Sequence, residues 1–367
     1  MPPKLSTGTP TIQFLNGQQL PCRTARNGVK QTRPSASKCL TGIVTALFAA
    51  VAAAVFVTSG KAQENAESYP SRLVEFVVPF ATGGSADIIA RMVTQVVSKN
   101  WNQAIVVQNK PGATGALASE YVARSAPDGY TLLLATASTH AVLPAYRTDL
   151  TYDTVTSFAP ATLVATFPNI LVVNPRKVPV RTVSEFVAYL KANPGKLNYS
   201  STGAGGSVHF TAELFKLMTN TEMTDVPYRG GGPALNDLLG GTVDLTFDNM
   251  ATVWPQVQQG NLRVLGVASR ERTPLAPAVP AIAETVPGFD STTWVGVVAP
   301  AGTPKPIIDK IAAAFASASQ QPEIRRQLEN LGATPAGNTP AEFLEFLKAD
   351  CARWERAAKA ANLFATK

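Results

Sequence analysis

The stretch VVPFATGGSADIIAR, residues 77–91, joins the end of an apolar strand to the start of an amphipathic helix through a pair of glycines. Gly83 and Gly84 allow backbone angles that other residues avoid, and they let another group approach the main chain. Ser85 is a suitable helix N-cap, and the unpaired N–H groups of a helix start attract anions. The stretch lacks the Gly-Lys-Ser/Thr ending of an ATP-binding loop, so no nucleoside triphosphate is expected here. Taken alone, such a junction is a structural turn as often as a binding site.

A second stretch of this kind, YSSTGAGGSVHF at residues 199–210, also leads from a strand through a Gly/Ser loop into a helix. Two such loops facing each other across a cleft would hold a small anion with backbone N–H groups and hydroxyls. His209 belongs to that site or is a helix-start histidine bonded to the local backbone. Serine catalysis by Ser207 and His209 is not expected, because residues two apart on a helix point in different directions and no GxSxG elbow surrounds the serine.

Three other features are weaker candidates. The glycine spacing at residues 112–118 is GxxGxxA instead of GxGxxG, and a proline interrupts the surrounding stretch, so no dinucleotide cofactor is expected. Asp248 follows a strand and is either a cleft residue or a turn residue. Arg229, in a glycine-rich loop, is either a partner for a ligand carboxylate or an ordinary surface arginine.

The positive charge of the chain is confined to its N-terminus. The whole sequence carries 32 Lys and Arg against 25 Asp and Glu, and residues 1–62 contain seven of the basic residues and no acidic one. The remainder is therefore formally neutral and has no general field that would attract nucleic acid. We expect no nucleic-acid partner.

Residues 1–62 have the parts of a secretory signal. A long basic region precedes an apolar run at 40–57, and Ser59-Gly60-Lys61-Ala62 offers small residues for cleavage after Ala62. We expect cleavage near Ala62 and export to the periplasm, and the alternative is a retained membrane anchor. A translation start near Val29 would give a leader of the usual proportions.

Cysteine and histidine are too scarce for a metal site. Removal of residues 1–62 leaves Cys351 alone, so no intramolecular disulfide is expected, and its helical spacing with Phe343, Leu347 and Trp354 indicates a packed thiol. His140 and His209 are the only histidines and do not by themselves make a transition-metal site. We expect neither a metal nor a cofactor.

From residue 73 onward, short β-branched runs alternate with amphipathic helical stretches. This alternation predicts an α/β protein with mostly parallel sheets. The predicted strands are 73–78, 105–108, 131–135, 170–173, 197–200, 243–247, 262–267 and 294–298. The predicted helices are 86–99, 183–192, 208–218, 233–239, 304–317, 322–330 and 340–360.

Two extended apolar segments, 160–174 and 290–304, are poor in helix formers and are predicted to cross between two lobes. Lobe 1 would then comprise residues 63–165 and 290–367, and lobe 2 residues 166–289. The ligand would lie in the cleft between the lobes, which is a favoured place for a small-molecule site.

The chain resembles the extracytoplasmic receptors of tripartite tricarboxylate transporters, the Bug (Bordetella uptake gene) family, over about residues 70–362. The resemblance rests on ordered motifs: VVPFATGGSADIIAR, NKPGATGALASEYVARSAPDGYTLLLAT, VNPRKVPVRTVSEFVAYLKANPGKLNYSSTGAGGSVHF, VPYRGGGPALNDLLGGTVDLTFDN and WVGVVAPAGTPKPIIDKI. It implies a two-lobed periplasmic binding fold of type II with two crossover strands. It also implies a small carboxylate ligand held by backbone amides and bridging waters. Ala81-Thr82 replaces the pair Pro-Ala that the family often has.

The resemblance points to ligand-binding residues in each lobe. In the first lobe they are Phe80, Thr82, Gly83, Gly84, Ser85 and Asp87, with Thr136, Ser138 and His140 at the distal end. In the second lobe they are Ser201, Thr202, Gly203, Ser207, His209 and Asp248. His140 lies in a variable part of the family and is therefore a candidate for ligand selectivity.

These observations predict a monomeric periplasmic solute-binding protein that closes on a carboxylate and presents it to the membrane permease subunits of the transporter. One rival is a receptor that serves a signalling protein. The other is an enzyme, which the absence of GxGxxG, of a GxSxG elbow and of a metal cluster disfavours. The identity of the carboxylate is not readable from the sequence, because the distal part of a pocket decides it.

Overall fold

The structure is a computed structural model that describes residues 67–361 and 363–364. The predicted leader, its cleavage after Ala62 and the alternative anchor lie outside the described residues. The strands are β1 (Val74–Val78), β2 (Ile105–Asn109), β3 (Thr131–Thr136), β4 (Phe158–Val173), β5 (Asn198–Ser201), β6 (Thr224–Pro227), β7 (Leu245–Asn249), β8 (Arg263–Val267), β9 (Thr292–Pro300) and β10 (Thr334–Pro335). The helices are α1 (Ser85–Trp101), α2 (Ala116–Ala123), α3 (Leu143–Tyr146), α4 (Val183–Ala192), α5 (Ser207–Thr219), α6 (Gly231–Gly240), α7 (Met250–Gln258), α8 (Lys305–Gln320), α9 (Pro322–Asn330) and α10 (Pro340–Ala361).

The strands form one path in the order β2-β1-β3-β9-β4-β7-β5-β6, and β8 and β10 also pair with β4. β1 is parallel to β2 and β3, and β5 is parallel to β6 and β7. Every pairing of β4 or β9 is antiparallel. The prediction of mostly parallel sheets was therefore wrong. β–α–β crossovers make each outer part of the sheet parallel, but the two long strands between those parts run against their neighbours.

Strand β4 joins two lobes by serving both halves of the sheet. Its first part pairs with β9 and β10, and its last residues, from Asn169 to Val173, pair with β7. Beside it, the Asn169 N–H donates to the Ser291 carbonyl, and the Ser291 N–H donates to the Ala268 carbonyl. We use first lobe for the elements around β1–β3 and second lobe for those around β5–β8. The boundaries drawn above at 165/166 and 289/290 stay a prediction.

Each lobe has apolar clusters on both faces of its sheet. In the first lobe, Phe76 of β1 stacks on Phe315 of α8, with ring centroids 5.4 Å apart. On the other face, Phe343, Leu347 and Trp354 of α10 are buried, as their helical spacing predicts. This second cluster also reaches the second lobe, because Phe210 of α5 packs edge-on against Trp354, with ring centroids 5.0 Å apart.

All seven predicted helices are present, with ends within a few residues of the expected positions. Helices α2, α3 and α7 and strands β6 and β10 were not predicted. Helix α7 follows β7 with no turn residue between them, and it contains Pro255, which weakens its helical pattern. Among residues 67–361 and 363–364, no helix is both long enough and apolar enough to cross a membrane.

Candidate functional site

The turn between β1 and α1 is held in shape by Asp87. Its Oδ2 accepts from the Gly83 N–H at 3.0 Å, and its Oδ1 accepts from Arg91 Nε at 2.9 Å and Asn109 Nδ2 at 3.0 Å. Gly83 has φ +83°, a conformation that favours glycine. Burial raises the pKa of the Asp87 carboxyl, but the hydrogen bonds from Arg91, Gly83 and Asn109 outweigh it and lower that pKa. Asp87 therefore stays ionised and shapes the turn.

Two helix starts each meet a hydroxyl from the opposite lobe. The Ser85 N–H at the start of α1 donates to Thr252 Oγ1 at 3.1 Å, and Thr252 belongs to α7 of the second lobe. The Ser207 N–H at the start of α5 donates to Ser138 Oγ at 3.0 Å, and Ser138 follows β3 of the first lobe. Ser138 Oγ donates in turn to Ser207 Oγ at 3.1 Å. N–H groups that favour an anion thus point into the cleft from both sides.

These groups surround a small cavity of about 30 Å³, which we call the inner cavity. Such a volume has room for one or two water molecules. The lining residues are Phe80, Gly84, Ser85, Ala86, Thr136, Ser138, Phe167, Thr202, Ser207, Gly231, Asp248, Asn249, Thr252, Thr293, Trp294 and Val295. Asp248 is the charged residue among them, and the lining contains no Lys or Arg.

Asp248 is the penultimate residue of β7 and is almost fully buried. Its Oδ1 accepts from the Asn249 N–H at 2.6 Å and from Asn249 Nδ2 at 3.3 Å. Its Oδ2 faces the start of α6, where a Cβ on Gly231 would lie 3.2 Å away. Burial raises the pKa of the Asp248 carboxyl to about 6, and the bonds from Asn249 act in the other direction. This carboxyl therefore changes charge within the physiological pH range.

The crossover strands form the floor of the inner cavity. Phe167 comes from β4, and Thr293 and Trp294 come from β9. Trp294 Nε1 donates to Asp350 Oδ2 at 2.7 Å, which fixes the indole ring from behind. The floor thus belongs to the segments that both lobes share.

The two lobes meet backbone to backbone along one edge of the inner cavity. The Ala81 N–H donates to the Arg229 carbonyl at 3.0 Å. A Cβ on Gly230 would lie 2.8 Å from the Ala81 nitrogen, and one on Gly84 would lie 3.2 Å from the Gly231 nitrogen. A side chain at either position would require the facing backbone to shift, so this contact defines a closed arrangement of the lobes.

A larger cavity of about 260 Å³, the outer cavity, lies beside the inner one. Phe80 and Thr202 line both cavities. The other lining residues of the outer cavity are Gly112, Ala113, Thr114, Gly115, Gly203, Pro227, Tyr228 and Arg229. Arg229 is the charged residue among them.

The structure brings eight of the predicted site residues together around the inner cavity: Phe80, Gly84, Ser85, Thr136, Ser138, Thr202, Ser207 and Asp248. Gly203 lines the outer cavity. The remaining predicted residues line neither cavity, and they are Thr82, Gly83, Asp87, His140, Ser201 and His209. The role of each in binding stays a prediction.

The two histidines lie away from both cavities. His140 is buried with its ring centroid 4.7 Å from that of Phe158, and burial lowers the pKa of its imidazole to about 3. Its Nδ1 pairs with Thr139 Oγ1 at 2.8 Å. His209 Nδ1 accepts from the Gly205 N–H at 3.4 Å, as in the local backbone interpretation given above.

Sequence reasoning missed the lining that comes from α6, α7 and the crossover strands. Thr252 is the clearest case, because it accepts a hydrogen bond from the first predicted turn. The sequence offered one indication of this role. Thr252 lies three residues beyond Asn249, at a junction between a strand and a helix that contains no glycine. Trp294 offered no comparable signal, since its position follows from the crossing of β9.

The structure has two α/β lobes joined by crossover strands, and helix starts face a closed cleft between the lobes. This combination defines a periplasmic binding protein. The family described as Tripartite tricarboxylate transporter family receptor matches residues 89–363, and the chain belongs to it. Protein BugT of Bordetella pertussis is 34% identical over 313 residues, which cover 85% of this chain and 96% of BugT.

Solved structures of similar proteins share the fold. Rpa4515 of R. palustris, solved with adipate, is 36% identical with a TM-score of 0.77, and the match covers 80% of this chain and 98% of Rpa4515. MatC of Rhodopseudomonas palustris, solved with bound malate, is 34% identical with a TM-score of 0.76, and the match covers 79% of this chain and 99% of MatC. The two-lobed fold and the family predicted from the sequence are confirmed.

Proposed function

We propose that this receptor binds a small carboxylate in the cleft and presents it to the membrane permease subunits of a tripartite tricarboxylate transporter. The observation that carries the proposal is the pair of opposed helix starts, whose Ser85 and Ser207 N–H groups point into the same cavity. A carboxylate accepts hydrogen bonds well from such N–H groups. Adipate in Rpa4515 and malate in MatC are ligands of this chemical class.

Lobe closure would complete the carboxylate site. Thr252 Oγ1 and Ser138 Oγ now accept from the two helix starts, and a ligand carboxylate would take over these acceptor positions. The displaced hydroxyls would then be free to donate to the same carboxylate, because a hydroxyl both donates and accepts. The ligand would enter between separated lobes, since the inner cavity has room for only part of it when closed.

Binding without chemistry is the simplest use of this site. Members of the family are solute-binding receptors. Ser207 Oγ is paired with Ser138 Oγ, and His209 Nδ1 is engaged with the Gly205 N–H. A serine nucleophile would need a base within hydrogen-bond reach, and neither contact supplies one.

Export to the periplasm and cleavage near Ala62 belong to the same proposal. The basic residues that precede the apolar run at 40–57, and the small residues before the expected cleavage point, support this part of the proposal. Recovery of the protein from the periplasmic fraction, followed by N-terminal sequencing, would test both points. A protein that stays with the membrane and keeps residues 40–57 would show a retained anchor instead.

The direct test is a thermal-shift screen on protein purified from the periplasm. Mono-, di- and tricarboxylates should raise the melting temperature, because a ligand at 100 times its Kd stabilises the folded state by about 2.7 kcal/mol. Neutral sugars and polyamines serve as controls of other chemical classes. Stabilisation by those controls alone would refute carboxylate binding.

A further inference from the structure

Arg229 presents an unused positive charge at the edge of the ligand cleft. Its side chain is exposed and lines the outer cavity. Among the residues that the structure describes, its guanidinium makes neither an ion pair nor a hydrogen bond. Its backbone carbonyl is anchored by the Ala81 N–H at 3.0 Å. The residue is therefore fixed at the contact between the lobes while its charge remains free.

We propose that Arg229 binds a second carboxylate of the ligand, so that the protein selects dicarboxylates over monocarboxylates. This inference rests on the proposed function, since it assumes that the first carboxylate occupies the inner cavity. It assigns the outer cavity to the distal half of the ligand and the guanidinium to the distal charge.

The two cavities are placed so that one ligand can occupy both. The inner cavity, about 30 Å³, has room for one end group, and the rest of a ligand must extend from it. Phe80 and Thr202 line both cavities and so mark the passage between them. The Phe80 ring offers an apolar surface to a methylene chain at this passage.

The charges that line the two cavities favour binding of one carboxylate in the inner cavity and the other in the outer cavity. The inner cavity offers neutral donors and the Asp248 carboxyl, so it does not neutralise an anion with a cation. Two polar side chains at or beside the outer cavity are already engaged. Lys110 Nζ lies 3.5 Å from Glu75 Oε1, and the Tyr228 hydroxyl donates to Asp237 Oδ2 at 2.6 Å. Arg229 is thus the cation available to a dianion, and its planar guanidinium suits a carboxylate.

Binding of a carboxylate at Arg229 would be coupled to lobe closure through the backbone contact between Arg229 and Ala81. Arg229 belongs to the second lobe, and its carbonyl meets Ala81 of the first lobe only when the lobes are together. Closure therefore brings the guanidinium to the mouth of a cavity whose other wall, at Gly112–Gly115, belongs to the first lobe. A distal carboxylate would add stability to the closed state alone.

The test is calorimetric titration of wild-type protein, Arg229→Gln and Arg229→Lys. The probes are the α,ω-dicarboxylates from malonate to azelate, together with the monoamide of each dicarboxylate that binds. Loss of a hydrogen bond to a charged group corresponds to about 10- to 100-fold in affinity. We expect wild type to prefer the best dicarboxylate over its monoamide by this factor, and Arg229→Gln to abolish the preference without weakening the monoamide. Arg229→Lys should keep part of it.

Arg181→Gln is the matched control, because Arg181 is an exposed arginine of the second lobe that lines neither cavity. It should leave all affinities unchanged. The wild-type preference should also shrink at higher ionic strength, since the outer cavity is open to solvent.

Several outcomes would overturn the inference, and they can be told apart from failure of the proposed function. A preference for dicarboxylates that survives in Arg229→Gln excludes Arg229 as the distal partner. Equal affinity of wild type for a dicarboxylate and its monoamide, or binding of monocarboxylates alone, removes the distal subsite but keeps carboxylate binding. Absence of binding by any carboxylate refutes the proposed function itself.

Discussion

Alanine at position 232 should prevent closure of the lobes while leaving each lobe intact. Gly232 lies in the first turn of α6, and a Cβ there would overlap the Thr82 carbonyl oxygen across the cleft. The same Cβ would lie 3.1 Å from the Thr82 carbonyl carbon and 3.3 Å from that of Gly83. All three obstacles are backbone atoms, so no side-chain rotation relieves the contact.

The cost can be worked out from the contacts that separation of the lobes would break. The overlap must open by more than an ångström to reach ordinary contact at 3.4 Å. That movement disrupts the Ala81 N–H bond to the Arg229 carbonyl at 3.0 Å. The Ser85 N–H bond to Thr252 Oγ1 adds nothing to this cost, because the ligand carboxylate would already have replaced Thr252 there. One lost bond at about 1 kcal/mol, with about 1 kcal/mol of residual overlap, amounts to about 2 kcal/mol. We therefore expect carboxylate affinity to fall by about 30-fold.

Stability should move in the opposite direction. Alanine is favoured over glycine inside a helix by up to about 1 kcal/mol, and Gly232 does not have a positive φ. The ligand-free melting temperature should therefore stay level or rise slightly, while the increase caused by ligand is lost. A loss of binding without a loss of stability distinguishes blocked closure from misfolding.

Gly240→Ala at the other end of α6 is the matched control. A Cβ at Gly240 has Thr242 Oγ1 at 4.0 Å as its nearest neighbour, so the same substitution meets no obstacle there. Calorimetric titration and small-angle scattering with and without ligand would compare the two variants with wild type. If Gly232→Ala bound its ligand within about threefold of wild type and still compacted, the closed contact would not be the binding state.

Two further predictions concern the inner cavity. Gly84→Val should weaken binding far more than Ser85→Ala. A Cβ at Gly84 lies 3.2 Å from the Gly231 nitrogen, whereas Ser85 offers the ligand its backbone N–H, which alanine keeps. Equal and negligible losses of affinity in calorimetric titration would contradict this prediction. Affinity should rise as pH falls from 8 to 6, because burial raises the pKa of Asp248 to about 6 and a neutral carboxyl does not repel the ligand. Asp248→Asn should flatten that profile. The substitution should also stabilise the ligand-free protein above pH 6 by up to about 3 kcal/mol, because it removes the cost of ionising a buried carboxyl. That cost grows as the pH rises from the pKa of Asp248 in the unfolded chain to its pKa of about 6 in the folded protein. Denaturant titrations that gave the same dependence of stability on pH for Asp248→Asn and wild type would contradict this prediction.

The glycine turns and helix starts could be predicted because their causes are local. A strand, a glycine pair and a serine before an apolar helical stripe predict a helix start near Ser85, and the same pattern predicts one near Ser207. The expected N-cap was wrong by one residue, because Gly84 is the N-cap and Ser85 is the first residue of α1. The hydroxyl partners of these residues could not be predicted, because Thr252 and Ser138 reach them from the opposite lobe. Such a contact depends on how the lobes close, which no local pattern encodes.

The direction of the central strands and the hydrogen-bond partners of Asp87 also depend on contacts between distant parts of the chain, which local sequence patterns do not encode. Apolar runs identify β4 and β9 as strands, but periodicity does not reveal that both run antiparallel to their neighbours. The resemblance points to Asp87 as a ligand-binding residue, and that role stays a prediction. What the sequence did not reveal is that its carboxylate bonds Arg91 and Asn109, because Asn109 comes from β2, 22 residues further along the chain.

In the proposed site, the division of donors between the lobes provides for release of the ligand as well as for its binding. The Ser85 N–H and the Ser138 hydroxyl belong to the first lobe, and the Ser207 N–H and the Thr252 hydroxyl belong to the second. Opening the lobes would therefore separate the donors from one another and dismantle the proposed site. An arginine inside the cavity would keep its charge next to the anion in both states and would slow release. Neutral donors divided between two lobes bind an anion strongly only when the lobes are closed. Arg229 lies at the closing contact and is the cation among the residues that line the two cavities, so the distal end of the ligand would also be held only in the closed state.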